Sequence, residues 1–248
     1  MKLTVVGYWG GYPHVDGATS MYVIEKDGFM LVVDVGSASL AKFQKYKKVK
    51  DIDAVLISHY HTDHIADIGV LQHALLINHY VTGDDKKVPI YGHIENERQF
   101  QELNHDFTEA VAYDPNQVLK LGPFTIRFIK TKHSVPCYGM KITDGDTTIV
   151  YTADSAYMDD WIDFSRHADL LITDCNFYQK QKASDAGHMT SEEGAYIAKE
   201  ADVKELLLSH LPQFGDQSLL VKEAQSIFQG PIHLASEGLV WEGIDKLK

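Results

Sequence analysis

Two hydrophobic periods alternate along this chain. "KLTVVGY" (2–8) and "MYVIEKDGFMLVVDVG" (21–36) carry the short apolar runs of strands, the second pair joined at Asp27-Gly28, a dipeptide suited to a two-residue hairpin. "SLAKFQKYKK" (39–48) has a helical pattern. "IDAVLIS" (52–58) is a continuous apolar run of buried-strand type, and "IADIGVLQHALLINHY" (65–80) is long and periodic enough for a helix. "VPIYG" predicts a short strand and "ENERQFQELN" a charged helix.

The second half repeats the scheme. "FTIRFIKTK" leads into a hairpin, "YGMKITDGDTTIVYTAD", turned at Asp144-Gly145. Then follow "ADLLITDCNF" (strand), "TSEEGAYIAKEA" (helix), "KELLLSH" (strand), "QSLLVKEAQSIF" (helix) and "PIHLA" as the last strand. Early hairpins followed by strand–helix alternation predict an α/β protein with two mixed sheets packed face to face and helices outside. The expected organisation is one domain over 1–248, built of two similar halves, roughly 1–122 and 123–248.

Composition narrows the function. A chain of 248 residues, 44% hydrophobic, is long enough for a single large α/β domain with a real core. It has no apolar run of 18 residues, so no membrane-spanning helix is expected, and its start lacks the pattern of a secretory signal. Its two cysteines, Cys137 and Cys175, form no CxxC pair, which predicts a reducing, cytoplasmic location. The net charge is −12, and the only basic run, "KFQKYKKVK" (42–50), reads as a solvated helix end. A long nucleic acid, which meets a basic face, is therefore disfavoured as a partner.

Histidine is the outlier, with 13 in the chain. In "LISHYHTDHIADIG" (56–69), His59 and His61 stand two apart, so in an extended segment both imidazoles point one way. Asp63 and His64 follow at the turn into a helix, and the cluster lies at the carboxyl end of a buried strand, where open α/β sheets place their sites. Imidazole with carboxylate suits zinc, manganese or iron. Three more apolar strands end on residues of ligand type: His133, Asp154 and His210. His73, His79, His93, His105, His167 and His233 show no such convergence.

Taken in order, His59, His61, Asp63, His64, His133, Asp154 and His210 resemble the motif of the metallo-β-lactamase superfamily of metal hydrolases. The resemblance spans most of the chain, from Asp34 to His210, and implies a four-layer αβ/βα sandwich with two divalent metal ions per chain on one edge. It implies that His59, His61 and His133 hold one ion, that Asp63, His64 and His210 hold the other, and that Asp154 bridges them. Asp34 would support the site from behind the ligands, and zinc is the first expectation for the metal. Asp154 in place of cysteine is unlike the true β-lactamases.

"AGHMTSEEGAYIAKEA" (186–201) contains Thr190 and Glu193 at capping-box spacing, which puts His188 just before a helix N-terminus. This segment resembles the ribonuclease Z-like phosphodiesterase branch, in which such a histidine acts near the scissile phosphate and pairs with an acid on the preceding strand, here Asp174. That branch implies attack by a metal-bound hydroxide, with Asp63, His188 and Asp174 as the catalytic set. Ribonuclease Z itself has a long tRNA-gripping arm, often between the segments matching His133 and Asp154. Only 20 residues (134–153) lie there in this chain, and they fit a hairpin. The expectation is therefore an armless phosphodiesterase acting on a small or short phosphodiester, with a lactone or thioester hydrolase of the same fold as the alternative. A homodimer is also expected from such relatives. The glycine-rich stretch 7–20 offers Trp9, Tyr12, His14 and Thr19 as candidate substrate contacts or, equally, as a surface loop.

Overall fold

Asp27 and Gly28 both adopt positive φ (51° and 80°), the backbone that a two-residue hairpin with native twist requires. They join β2 (Met21–Lys26) to β3 (Phe29–Val33), which follow β1 (Lys2–Gly7) in an antiparallel sheet. In the computed structural model, which describes residues 1–243, the chain divides into two compact units: Lys2–Asp114 with Ser236–Glu242, and Pro115–Ala235 with Met1 and Gly243.

In the first unit, crossovers through helices make the next strands parallel. Helix Ser39–Phe43 precedes β4 (Ala54–Leu56), helices Thr62–Ile65 and Ile68–Thr82 precede β5 (Val88–Gly92), and helix Glu97–Gln101 precedes β6 (Thr108–Ala112). The second unit contains β7 (Leu119–Leu121), β8 (Phe124–Lys130), β9 (Tyr138–Thr143), β10 (Thr148–Tyr151), β11 (Leu170–Asp174), β12 (Glu205–Ser209) and β13 (Ile232–Leu234). Its strand order is sequential, antiparallel from β7 to β10 and parallel from β10 to β13. The chain then returns to the first unit as β14 (Val240–Glu242), antiparallel to β1, giving the order β14-β1-β2-β3-β4-β5-β6. Both sheets thus have three antiparallel pairings followed by three parallel ones.

Several sequence expectations are corrected here. "PIHLA" is not the last strand, because β14 follows it; three residues around the buried Trp241 are too short to show a period. The helix expected over 65–80 is two helices, broken at Asp67. The Asp67 carboxylate instead accepts hydrogen bonds from the amides of Ala38 (3.3 Å) and Leu40 (2.9 Å), at the start of helix Ser39–Phe43. That helix is shorter than its pattern, and the lysines beyond it pair at the surface: Lys45 with Glu237 (2.7 Å) and Lys47 with Glu25 (2.5 Å).

Ile68, Leu71 and Leu75, at helical i, i+3, i+7 spacing, pack with Leu40, Phe43 and the β-strand residues Val23, Val32 and Val55 into one buried cluster. Truncating such a residue to alanine costs about 2–5 kcal/mol. No helix among the described residues is long and apolar enough to cross a membrane.

Candidate metal centre

Parallel strands present their carboxyl ends along one edge of their own sheet, and the candidate residues sit there. In the first unit, Asp34 follows β3 in a left-handed conformation (φ 57°), with its amide bonded to the Leu56 carbonyl (3.0 Å). Its fully buried carboxylate accepts the Ser58 amide on one oxygen and the Ser58 hydroxyl on the other, both at 2.8 Å. The second oxygen also lies 2.8 Å from His64 Nδ1, and Ser58 Oγ lies 3.0 Å from His59 Nδ1. Asp34 and Ser58 therefore engage the Nδ1 atoms of both histidines, the kind of support that metal-binding imidazoles usually have.

The His59 ring centre is 4.8 Å from that of His61 and 4.2 Å from that of His64. Asp63 Oδ2 accepts the Gly11 amide at 2.7 Å and lies 3.5 Å from His64 Nε2. Gly36 lets this loop approach: a Cβ there would stand 2.0 Å from the Asp63 carbonyl oxygen.

In the second unit, β8, β10, β11 and β12 run in one direction and deliver His133, Asp154, Asp174 and His210 to one edge. Ala153 (φ 50°) and His210 (φ 53°) are left-handed non-glycine residues at two of these ends. Such backbone costs on the order of 1–3 kcal/mol and clusters at functional sites. Asp154 Oδ1 lies 3.3 Å from His210 Nε2, and Oδ2 lies 3.7 Å from His133 Nε2. His133 Nδ1 lies 3.0 Å from the Gly187 carbonyl, and Asn176 donates to the His210 carbonyl at 3.0 Å. Gly187 is in the left-handed region (φ 78°), and a Cβ on it would stand 2.9 Å from His133 Nδ1, so glycine is required there twice over.

Two donors placed tetrahedrally ~2.1 Å from an ion stand ~3.4 Å apart. The His64–Asp63, His210–Asp154 and His133–Asp154 separations (3.5, 3.3 and 3.7 Å) match that spacing and are long for charged hydrogen bonds. Imidazoles and carboxylates with no thiolate fit zinc, manganese or iron. This donor set fits a divalent metal ion.

His188 is placed by helix Ser191–Glu200. Thr190 caps that helix, its hydroxyl accepting the Glu193 amide while the Glu193 carboxylate accepts the Thr190 amide, the expected capping box. His188 Nδ1 lies 2.7 Å from Asp174 Oδ2, an atom that also accepts the Ser155 amide (3.1 Å). The His188 ring is stacked 5.2 Å from that of His210 and lies edge-on, 5.2 Å, to that of His133. Burial alone would lower the His188 pKa, but the Asp174 carboxylate outweighs it and the net direction is upward. Burial pushes Asp174 up in turn, and the charges of His188 and His210 outweigh that, holding it below the usual carboxylate range. Asp154, Asp174, His188 and His210 offer ligand atoms within 4.8 Å of one another.

The sequence reading missed Ser58, Asn176, the Gly11 amide and the Gly187 carbonyl. Only Ser58 carried a signal, since a hydroxyl beside a candidate histidine can engage its second nitrogen. In the 7–20 loop, Thr19 is fully buried and accepts the Ser37 amide (2.6 Å), and Trp9 stacks on His14 (5.2 Å, 26°). Tyr12 stays 63% exposed. Of the histidines left without a role, His93 is buried beside Tyr60, whose hydroxyl donates to the His93 carbonyl at 2.7 Å.

Residues 32–211 match the Beta-lactamase superfamily domain. The chain is 51% identical over 244 residues (98% of this chain, 100% of the relative) to YhfI of Bacillus subtilis strain 168, a probable metallo-hydrolase. Its fold superposes on the crystal structure of that metallo-β-lactamase fold protein with a TM-score of 0.96, at 50% identity over 98% of this chain and 99% of the other. Two further crystal structures, human tRNase Z (short form) and a diphosphatase of the PhnP family, each give a TM-score of 0.75 at 20% identity. They cover 98% of this chain and 99% and 98% of theirs, a likeness of fold alone. The chain belongs to the β-lactamase superfamily, as a metal-dependent hydrolase of metallo-β-lactamase fold.

Proposed function

We propose that this protein is a dinuclear phosphodiesterase, acting as one domain, that cleaves a small or short phosphodiester. His59, His61 and His133 would hold one ion, Asp63, His64 and His210 the other, and Asp154 both. When bound, the ions would lower the pKa of a coordinated water towards ~7 and neutralise charge on the phosphate oxygens.

The observation that carries the reading is the Asp174–His188 contact at 2.7 Å. Asp174 orients the imidazole through Nδ1 and favours its protonated form, the one in which Nε2 carries a proton. From Nε2, His188 donates that proton to the departing oxygen. An alkoxide leaving group needs such an acid far more than a thiolate does. The fold relatives named for tRNA cleavage and diphosphatase activity support chemistry at phosphorus. A small substrate is supported by the β9–β10 hairpin, which occupies the stretch between His133 and Asp154, and by the net charge of −12.

Metal-loaded enzyme offered bis(p-nitrophenyl) phosphate, a chromogenic lactone and a thioester should turn over the phosphodiester, and on a phosphodiester with an alkyl leaving group His188→Ala should slow turnover about 10²–10⁴-fold with metal content unchanged. Turnover confined to the lactone or the thioester would overturn the reading.

A further inference from the structure

The second unit contains a cavity of ≈ 470 Å³ whose lining includes Tyr157, Lys180, Thr190, Glu192, Glu193 and Tyr196. That is within the size range of small-ligand sites, whereas the recess beside His133 and Gly187 is only ≈ 210 Å³. The two tyrosine rings stand 6.0 Å apart at 61°, an edge-on pair. Tyr157 is fixed by donating to Asp159 Oδ1 (2.8 Å), and its phenol, pushed up to about 12 by burial and by Asp159, stays uncharged. Tyr196 is 41% exposed, an aromatic face held on a helix. A lone exposed tyrosine needs no explanation, but a rigid pair lining a cavity with two anchored carboxylates does. Glu192 accepts Gln179 Nε2 (2.5 Å), and Glu193 is held by the capping box.

The cavity adjoins the proton donor along the chain. Thr190 lies two residues after His188, at most ~7 Å of extended backbone. Phe177, bridged to Thr190 through the backbone, has its ring 6.0 Å from that of His188. Tyr157 follows Asp154 by three residues.

We propose that this cavity is the leaving-group subsite and that it takes a planar nitrogenous ring of nucleobase type, stacked on Tyr196 with Tyr157 meeting it edge-on. The assignment rests on the phosphodiesterase reading for its role, not for its binding chemistry. Every nucleobase offers a π-face to a tyrosine, and the glutamates accept ring and exocyclic N–H groups. The same two carboxylates, against the single cation Lys180, repel a leaving group that carries a further phosphate. The favoured leaving alcohol is therefore an uncharged nucleoside, not an oligonucleotide.

The test is a titration of adenosine and guanosine into the metal-loaded protein, followed by saturation-transfer NMR, for wild type, Tyr196→Ala and Tyr196→Phe. Wild type and Tyr196→Phe should bind with the ring protons most strongly saturated. Tyr196→Ala should bind roughly 5- to 150-fold more weakly, the range of base–aromatic stacking. No saturation at millimolar nucleoside, or equal affinity in Tyr196→Ala, would overturn the proposal. Tyr196-dependent binding in a protein that leaves phosphodiesters intact would support the ring site and overturn the phosphodiesterase reading instead.

Discussion

Each unit carries a seven-stranded sheet with three antiparallel pairings followed by three parallel ones, yet the two gather their titratable residues differently. The first unit takes four candidate ligands from one loop, 59–64, and braces two of them with Asp34 and Ser58. The second collects His133, Asp154, Asp174 and His210 from the ends of four strands, and holds them with left-handed backbone at Ala153 and His210 and with the Gly187 carbonyl. A loop places ligands by sequence spacing; strand ends place them by topology. Only the first arrangement is written locally in the sequence, although the proposed chemistry needs both.

Removing one ligand from each arrangement gives the largest effect. His59→Ala and His210→Ala should each abolish phosphodiester turnover, measured on metal-replete protein. Full activity in His210→Ala would leave the loop as the whole site and end the comparison. A smaller effect separates support from ligation. Asp34→Ala should weaken metal affinity about 10- to 100-fold in a competitive chelator titration, because both His64 and, through Ser58, His59 lose their orienting partner.

The smallest effect is a pH shift. Asp174 raises the His188 pKa against the pull of burial. In Asp174→Asn burial acts unopposed by that carboxylate, the pKa falls, and less imidazole is protonated at a given pH. The alkaline limb of kcat/KM should therefore move to lower pH, while an unmoved limb would separate Asp174 from proton donation. The same raised pKa stabilises the fold below the unfolded histidine value, ~6.5, and that contribution is lost as pH rises through the folded value.

Much of this molecule was legible in advance where local rules act alone. The Asp27-Gly28 hairpin and the Thr190–Glu193 capping box follow from turn and cap chemistry within a few residues. The break at Asp67 was not legible, because its cause is a tertiary contact with the amides of Ala38 and Leu40. β6, with the sequence TEAVA, was unread because alanine and glutamate favour helices, and partnership with β5 overrides that preference. At the site, residues with chemical side chains stood out, whereas the Gly11 amide and the Gly187 carbonyl belong to backbone that no residue type announces.

The central proposal is that the seven candidate ligands hold two metal ions per chain. Elemental analysis of metal-replete protein tests it most directly. The account predicts two divalent ions per chain in wild type and fewer in both His59→Ala and His210→Ala; one ion or fewer per chain in the replete wild type would contradict it.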